Sequence, residues 1–435
     1  MTGILKARIP ATEGVPMRRL RRLLAPALLA CLLPLGLAGC QQALSLTATD
    51  LTASVKPASE ASVEMADATV AYDFALDLLR ESTAEAPSKN ALVSPLSVLH
   101  ALAMAENGAD GETLAQMERT TGMSVEELTD TLQAHLQLSS SYDGPLSLAN
   151  SVWLRDSGGL SVENAFLEAC GGRLGARVFS APFDDSTVTD VNAWISEKTH
   201  EMIPEMLSQL SDQTQLLLVN ALAFEGSWEE PFDSALVTPD TFTCEDGTEQ
   251  DVDMMHSTES AYFESDLATG FAKPYEDHDY RFVGLLPNKG VTVAELLESL
   301  DGEGLEQLLT PAENTVARIG LPKFTSSYDV ELSGVLRSLG MTDAFDAGAA
   351  DFSRMGSSDA GPLFIGGALH KTFIDVDEEG TRAAAATVTT MDGGAAPIEE
   401  EPEVKEVVLD RPFVYLIVDA HTMTPVFIGT FMSAE

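Results

Sequence analysis

The residues whose types and spacing bear most on function lie between Glu378 and Arg411. Thr381, Ala383, Ala385 and Thr387 share one face of an extended chain, because side chains alternate along a strand, and all four are small. A strand with such a face can slide beneath a covering helix and into a sheet. Arg382 falls on the opposite face with Ala384, Ala386 and Val388, so no charge opposes insertion. Gly380 supplies a permissive pivot just before this run. Pro397 cannot donate to a ladder and limits how far insertion can go. Four consecutive alanines also suit a helix, and composition leaves both readings open. The second half of the segment, with its acidic stretch from Glu399 to Glu403, has no core-forming pattern. A stretch this long without structure inside a compact domain is a functional loop or a disordered one.

No catalyst of the chain's own accompanies this segment. The sequence has no G-x-S-x-G, H-E-x-x-H, C-x-x-C, S-x-x-K or P-loop pattern. Its seven histidines show neither metal spacing nor triad order, so no metal and no cofactor is called for. With 25 basic against 68 acidic residues, the formal net charge is −43. That excludes a nucleic-acid backbone as partner and argues against adhesion to anionic lipid through surface charge.

The elements that must hold the segment read as one mixed α and β domain. Its 435 residues are 45% hydrophobic, enough for a sizeable core. Val70, Phe74, Leu78 and Leu79 recur at helical spacing and predict a helix over 68–81. A second helix follows Ser94-Pro95 over 97–105, with the proline tolerated in the first turn. A third begins at Asp190, read as its cap, and carries Val191, Trp194 and Ile195. Gln215–Phe224 is a continuous apolar run, suited to a strand buried on both faces. Tyr280–Leu286, Phe373–Val376, and the pair Phe413–Val418 and Val426–Phe431 read as further strands, the last two as a hairpin. No linker divides the chain after residue 67, so residues 67–435 are expected to form one domain.

The first forty residues read as an address. Arg18, Arg19, Arg21 and Arg22 precede an apolar run, Leu23 to Ala38, that is short for a membrane span and holds two prolines. The run ends in Leu37-Ala38-Gly39-Cys40, which resembles the bacterial lipoprotein lipobox. That resemblance implies a signal peptide over 1–39, cleavage before Cys40 and lipid on its thiol. Met17 is an alternative start. Residues 40–66, rich in Ala, Ser and Thr, are expected to be a flexible tether. Cys170 and Cys244 leave two readings: one disulfide, or two buried thiols that are not joined, the blander of the two.

Several motifs, in order along residues 67–433, resemble the serpin family. Asn90-Ala-Leu-Val-Ser94-Pro95-Leu-Ser97 is similar to its early shutter segment. Leu218-Val-Asn220-Ala-Leu-Ala-Phe224-Glu-Gly-Ser-Trp228 is similar to its central strand. Leu321-Pro-Lys-Phe324, Ala368-Leu-His370-Lys371, Asp410-Arg-Pro-Phe413 and Pro425-Val-Phe-Ile-Gly429 also match. Glu378-Glu379-Gly380-Thr381, followed after Arg382 by Ala383, Ala384, Ala385, Ala386 and, one position on from those, Thr387, resembles the inhibitory hinge.

The resemblance implies an α+β fold of three β-sheets and about nine helices, with an exposed reactive-centre loop over about 378–411. It implies a shutter formed by Ser94, Ser97, Asn220 and His370. It also implies suicide inhibition of a serine protease, or a cysteine protease, through a covalent complex by a protein expected to be a monomer. Spacing from Thr381 puts the reactive bond at Gly394–Ala395; counting back from Pro412 puts it near Glu401. Arg382 departs from the glutamate common in inhibitory members. The alternative is a non-inhibitory member acting as a binding or carrier protein.

Overall fold

A computed structural model describes residues 45–58, 67–139, 144–156, 159–211, 213–381 and 402–434, which pack as one unit. The architecture is α+β, with nine α-helices and three principal sheets among the described residues, and a fourth sheet of only two short strands.

The central sheet has eight strands. In chain order they are β1 (Thr49–Asp50), β2 (Leu146–Arg155), β3 (Arg177–Ala181), β4 (Leu216–Phe224), β5 (Gly226–Ser227), β6 (Phe324–Glu331), β7 (Ile365–Val376) and β8 (Gly380–Thr381). Their order across the sheet is β1-β3-β2-β4-β7-β8-β5, with β6 pairing along the far side of β7. β4 is buried at all nine residues, as its unbroken apolar run predicts. It pairs antiparallel with β2 and parallel with β7, from Ile365 opposite Leu216 to Phe373 opposite Ala223.

A six-stranded sheet holds the terminal hairpin Phe413–Asp419 and Pro425–Phe431, flanked by Ala91–Val93 and Tyr280–Pro287. A four-stranded sheet contains Thr315–Pro322 and, parallel to it, Glu403–Val408.

The helices at Ala68–Thr83 and Pro95–Gly108 lie where the apolar spacing puts them. The third corrects the expectation. It spans Asp185–Lys198 and is capped by Asp184, whose carboxylate accepts from the Ser186 amide. Asp190 sits inside this helix instead. One of its carboxylate oxygens accepts from the Thr47 amide at 2.9 Å, the Thr47 hydroxyl at 2.6 Å and the Ala48 amide at 2.8 Å.

That contact also corrects the expected tether. Residues 45–58 are docked: Thr49 and Asp50 add an antiparallel edge strand to β3, and Thr52 is buried. Short polar residues read as a linker in composition. Here they satisfy a sheet edge and a buried carboxylate, neither of which is visible in the local sequence. Residues 40–44 and 59–66, including Cys40, lie outside the described residues.

Candidate functional site: the sheet seam and its hinge

The seam between β4 and β7 carries a buried polar row. Asn150 of β2, Asn220 of β4 and His370 of β7 are direct partners across three adjacent strands, so their side chains share one face. Above them the helix Pro95–Gly108 begins. Ser94 caps that helix, its hydroxyl accepting from the Ser97 amide at 3.2 Å and donating to the Val426 carbonyl at 2.7 Å. The Ser94 amide donates to His370 Nε2 at 3.0 Å. This fixes the ring proton on Nδ1, which donates to Asn220 Oδ1 at 2.8 Å. Asn220 Nδ2 donates to the Ser97 carbonyl and to Asn150 Oδ1. The structure therefore brings Ser94, Ser97, Asn220 and His370 into one network and adds Asn150, which stands next to Ser151 in the strand β2.

Burial pushes the His370 imidazole down to about 3, so it is neutral at physiological pH. A depressed folded value means the neutral ring's contribution is complete above its ordinary value of 6.5 and is lost as pH falls towards 3. We expect the thermal midpoint to drop across that window. His370→Gln keeps a donor and an acceptor but cannot titrate, and should show a smaller drop between pH 6.5 and 4. Equal drops in the two proteins would show that His370 does not set the acid limit.

At the top of the seam the chain turns back on itself. β7 ends at Val376, and the Asp377 carboxylate accepts from the Glu379 amide at 2.8 Å and the Gly380 amide at 3.1 Å, closing a tight turn. β8 then runs antiparallel to both neighbours, Thr381 opposite Val376 on β7 and opposite Gly226 on β5. A Cβ at Gly380 would collide with the Gly226 carbonyl oxygen. The glycine is thus required by close approach rather than by an unusual backbone torsion, since its φ is not positive.

Trp228 fastens the turn. Its amide donates to the Glu379 carbonyl and its indole Nε1 to the Asp377 carbonyl, both at 2.9 Å. Lys323 pairs with Glu378. Tyr275 stacks on Trp228 at 4.4 Å between ring centroids, and its hydroxyl bonds the Thr381 hydroxyl at 2.5 Å in a fully buried position. Lys273, ion-paired with Glu259 at 2.8 Å, lies over the Phe232 ring.

Sequence reasoning anticipated Glu378, Glu379, Gly380 and Thr381 but not Tyr275, whose role depends on a contact 106 positions away. Lys323 carried a signal, in the Leu-Pro-Lys-Phe motif, without a role. Arg382, Ala383, Ala384, Ala385, Ala386, Thr387, Gly394 and Ala395 lie outside the described residues. Cys170 is buried and Cys244 half-buried, and no disulfide joins them.

Comparison with known proteins places this geometry. Residues 69–434 match the family described as Serpin (serine protease inhibitor). An uncharacterized serpin-like protein of Thermococcus kodakarensis is 31% identical over 83% of this chain and 84% of its own length. Human Serpin B9 is 31% identical over 83% of this chain and 97% of its own. The native-state crystal structure of the thermophilic serpin tengpin superposes with a TM-score of 0.80 at 39% identity, covering 89% of this chain and 99% of tengpin. Tengpin in its latent state gives 0.73 at 36% identity, over 86% and 100% of the two chains. The chain belongs to the serpin family, whose members are not catalysts and work through a conformational change of the fold.

Proposed function

We propose that the protein is a suicide-substrate inhibitor of an extracellular serine protease of elastase or subtilisin type. The observation that supports this most is the seated hinge. Gly380 and Thr381 already pair with strands on both sides at the mouth of the β4–β7 seam. A chain continuing from Thr381 in that direction would run antiparallel to both seam strands. From Thr381 to Gly394 is about fourteen residues, or about 46 Å when extended, enough to run the full length of the 12-residue strand β7 beside it with about two residues to spare.

In this reading the protease's serine oxygen attacks the Gly394 carbonyl carbon. The Gly394–Ala395 bond breaks, and the Ala395 nitrogen leaves with the proton that the protease's own base took from the serine. The freed loop then enters the seam, gaining a ladder of hydrogen bonds on both edges. The ester-linked protease is carried along and distorted before water completes hydrolysis. The native fold is therefore a kinetic trap.

Target class follows from side chains. No Lys or Arg lies between Ala383 and Val404, so a trypsin-like acidic pocket has nothing to hold. Gly393, Gly394, Ala395 and Ala396 suit a shallow pocket that selects by excluding bulk. Incubation with a protease panel should give an SDS-stable complex with an elastase or subtilisin and none with trypsin; a trypsin complex alone would overturn the assignment.

A second reading is a non-inhibitory carrier. Its support is that thyroxine-binding globulin in complex with thyroxine superposes with a TM-score of 0.71 at 24% identity, a likeness of fold alone. A carrier would be cut by these proteases without forming a stable complex. Small residues on the inserting face weigh against it.

We also propose that the domain is lipid-anchored outside the cytoplasm through Cys40. The support is the Leu-Ala-Gly-Cys run after a basic and apolar segment. The protein should fractionate with membranes and Cys40→Ala should not; identical fractionation would end this proposal.

A further inference from the structure

Thr381 ends the short hinge strand β8, and it is fully buried. Among the described residues, the side-chain partner of its hydroxyl is the Tyr275 hydroxyl at 2.5 Å. Tyr275 is itself held in place. It stacks between the Trp228 ring at 4.4 Å and the edge of Phe224 at 4.8 Å, on the loop side of the strand Ala268–Pro274. Burial pushes its phenol far above the ordinary range, against the opposing effect of the Thr381 bond, so the group stays protonated and able to donate. Two hydroxyls in this position satisfy each other, and no water reaches either side chain.

We propose that Tyr275 is a positioning residue for loop insertion: its hydroxyl pins Thr381 in the first rung, so that the inserting strand is seeded before any protease arrives. The proposal rests on the inhibitory reading above. The physical reason is loop closure. A strand that must first find its slot has to fix its end against conformational entropy, and each later rung is then local. With Thr381 already paired to Val376 and Gly226, insertion after loop cleavage starts from the second rung. Insertion competes with hydrolysis of the ester, so a seeded strand favours trapping and an unseeded one favours release of active protease.

Three variants test this: Tyr275→Phe, Thr381→Val and the pair together. Each keeps the volume of the side chain it replaces. Either single change leaves one buried hydroxyl without its partner, whereas the double change leaves none. In Tyr275→Phe, amide exchange of residues 377–381 should quicken roughly tenfold. The moles of inhibitor consumed per mole of protease trapped should rise several-fold. The second-order rate of loop attack should stay that of the wild type, which separates positioning from general damage to the fold. The double variant should exchange more slowly than the sum of the single effects predicts. Exchange at 377–381 equal to wild type in Tyr275→Phe overturns the proposal. So does a slowed attack rate with an unchanged trapping ratio. If the wild type traps no protease in the panel, the inhibitory reading fails by itself. The exchange measurement then still decides whether Tyr275 pins the hinge.

Discussion

On the proposed mechanism, replacing Thr381 by arginine should turn the protein from an inhibitor into an ordinary substrate. Thr381 is fully buried between β5 and β7, with its hydroxyl on Tyr275. Among the described residues, the partners of Thr381, which are Tyr275, Val376 and Gly226, offer an arginine no carboxylate, and burying an unpaired charge costs several kcal/mol, on the order of 4 or more. The first rung would be expelled, and every later rung depends on it. We expect the protease to be released active, the trapping ratio to worsen by more than tenfold, and loop cleavage to continue. Arg382→Glu should do almost nothing, because strand alternation puts position 382 on the opposite face. The pair of variants is the check. If both trap protease as well as the wild type does, the inward-facing parity of the hinge is wrong.

Asn220→Ala should produce the second large effect, on the barrier that keeps the sheet closed. Asn220 is the hub of the polar row. It donates to the Ser97 carbonyl and to Asn150, and accepts from His370. Truncation leaves the Asn150 amide oxygen and the His370 ring N–H without the Asn220 partner, while the Ser97 carbonyl keeps its helical bond, in a site that is almost dry; Asn150, at 6%, is its most exposed member. Each orphaned group costs about 1–3 kcal/mol, so the native state should lose about 2–6 kcal/mol. The Asn220–His370 bond also bridges β4 and β7, the two strands that must part. Spontaneous conversion to an inert, loop-inserted form should therefore accelerate as well. Thermal unfolding together with residual inhibition after hours at 37 °C measures both. Unchanged values in both would mean that this row does not guard the seam.

Much of this was legible in residue order. Of the small-residue alternation after Gly380, Thr381 is the member among the described residues, and it is buried as strand parity, a local property, expects. The apolar run Leu216–Phe224 identified the doubly buried strand for the same reason. What escaped was tertiary. Asn150 looks like any polar residue in a strand until the register sets it opposite Asn220. Tyr275 carries no sign of its role, because Thr381 reaches it only through the fold. Asp190 resembled a helix cap because it precedes an apolar run. Asp184 supplies the cap upstream, which leaves the Asp190 carboxylate to clasp Thr47 and Ala48. Gly380 was expected for its torsional freedom, but it is needed because β5 passes too close for a Cβ.

The central claim is that a protease cuts the loop, stays attached, and is carried as the loop enters the seam. Mass spectrometry of the peptide released when an elastase- or subtilisin-type protease forms its SDS-stable complex tests this most directly. The account predicts one C-terminal peptide, beginning at Ala395, in equal amount to the trapped protease. A peptide beginning after Glu399 or later, with trapping intact, contradicts the hinge spacing. Complete loop cleavage with no attached protease contradicts the inhibitory mechanism itself.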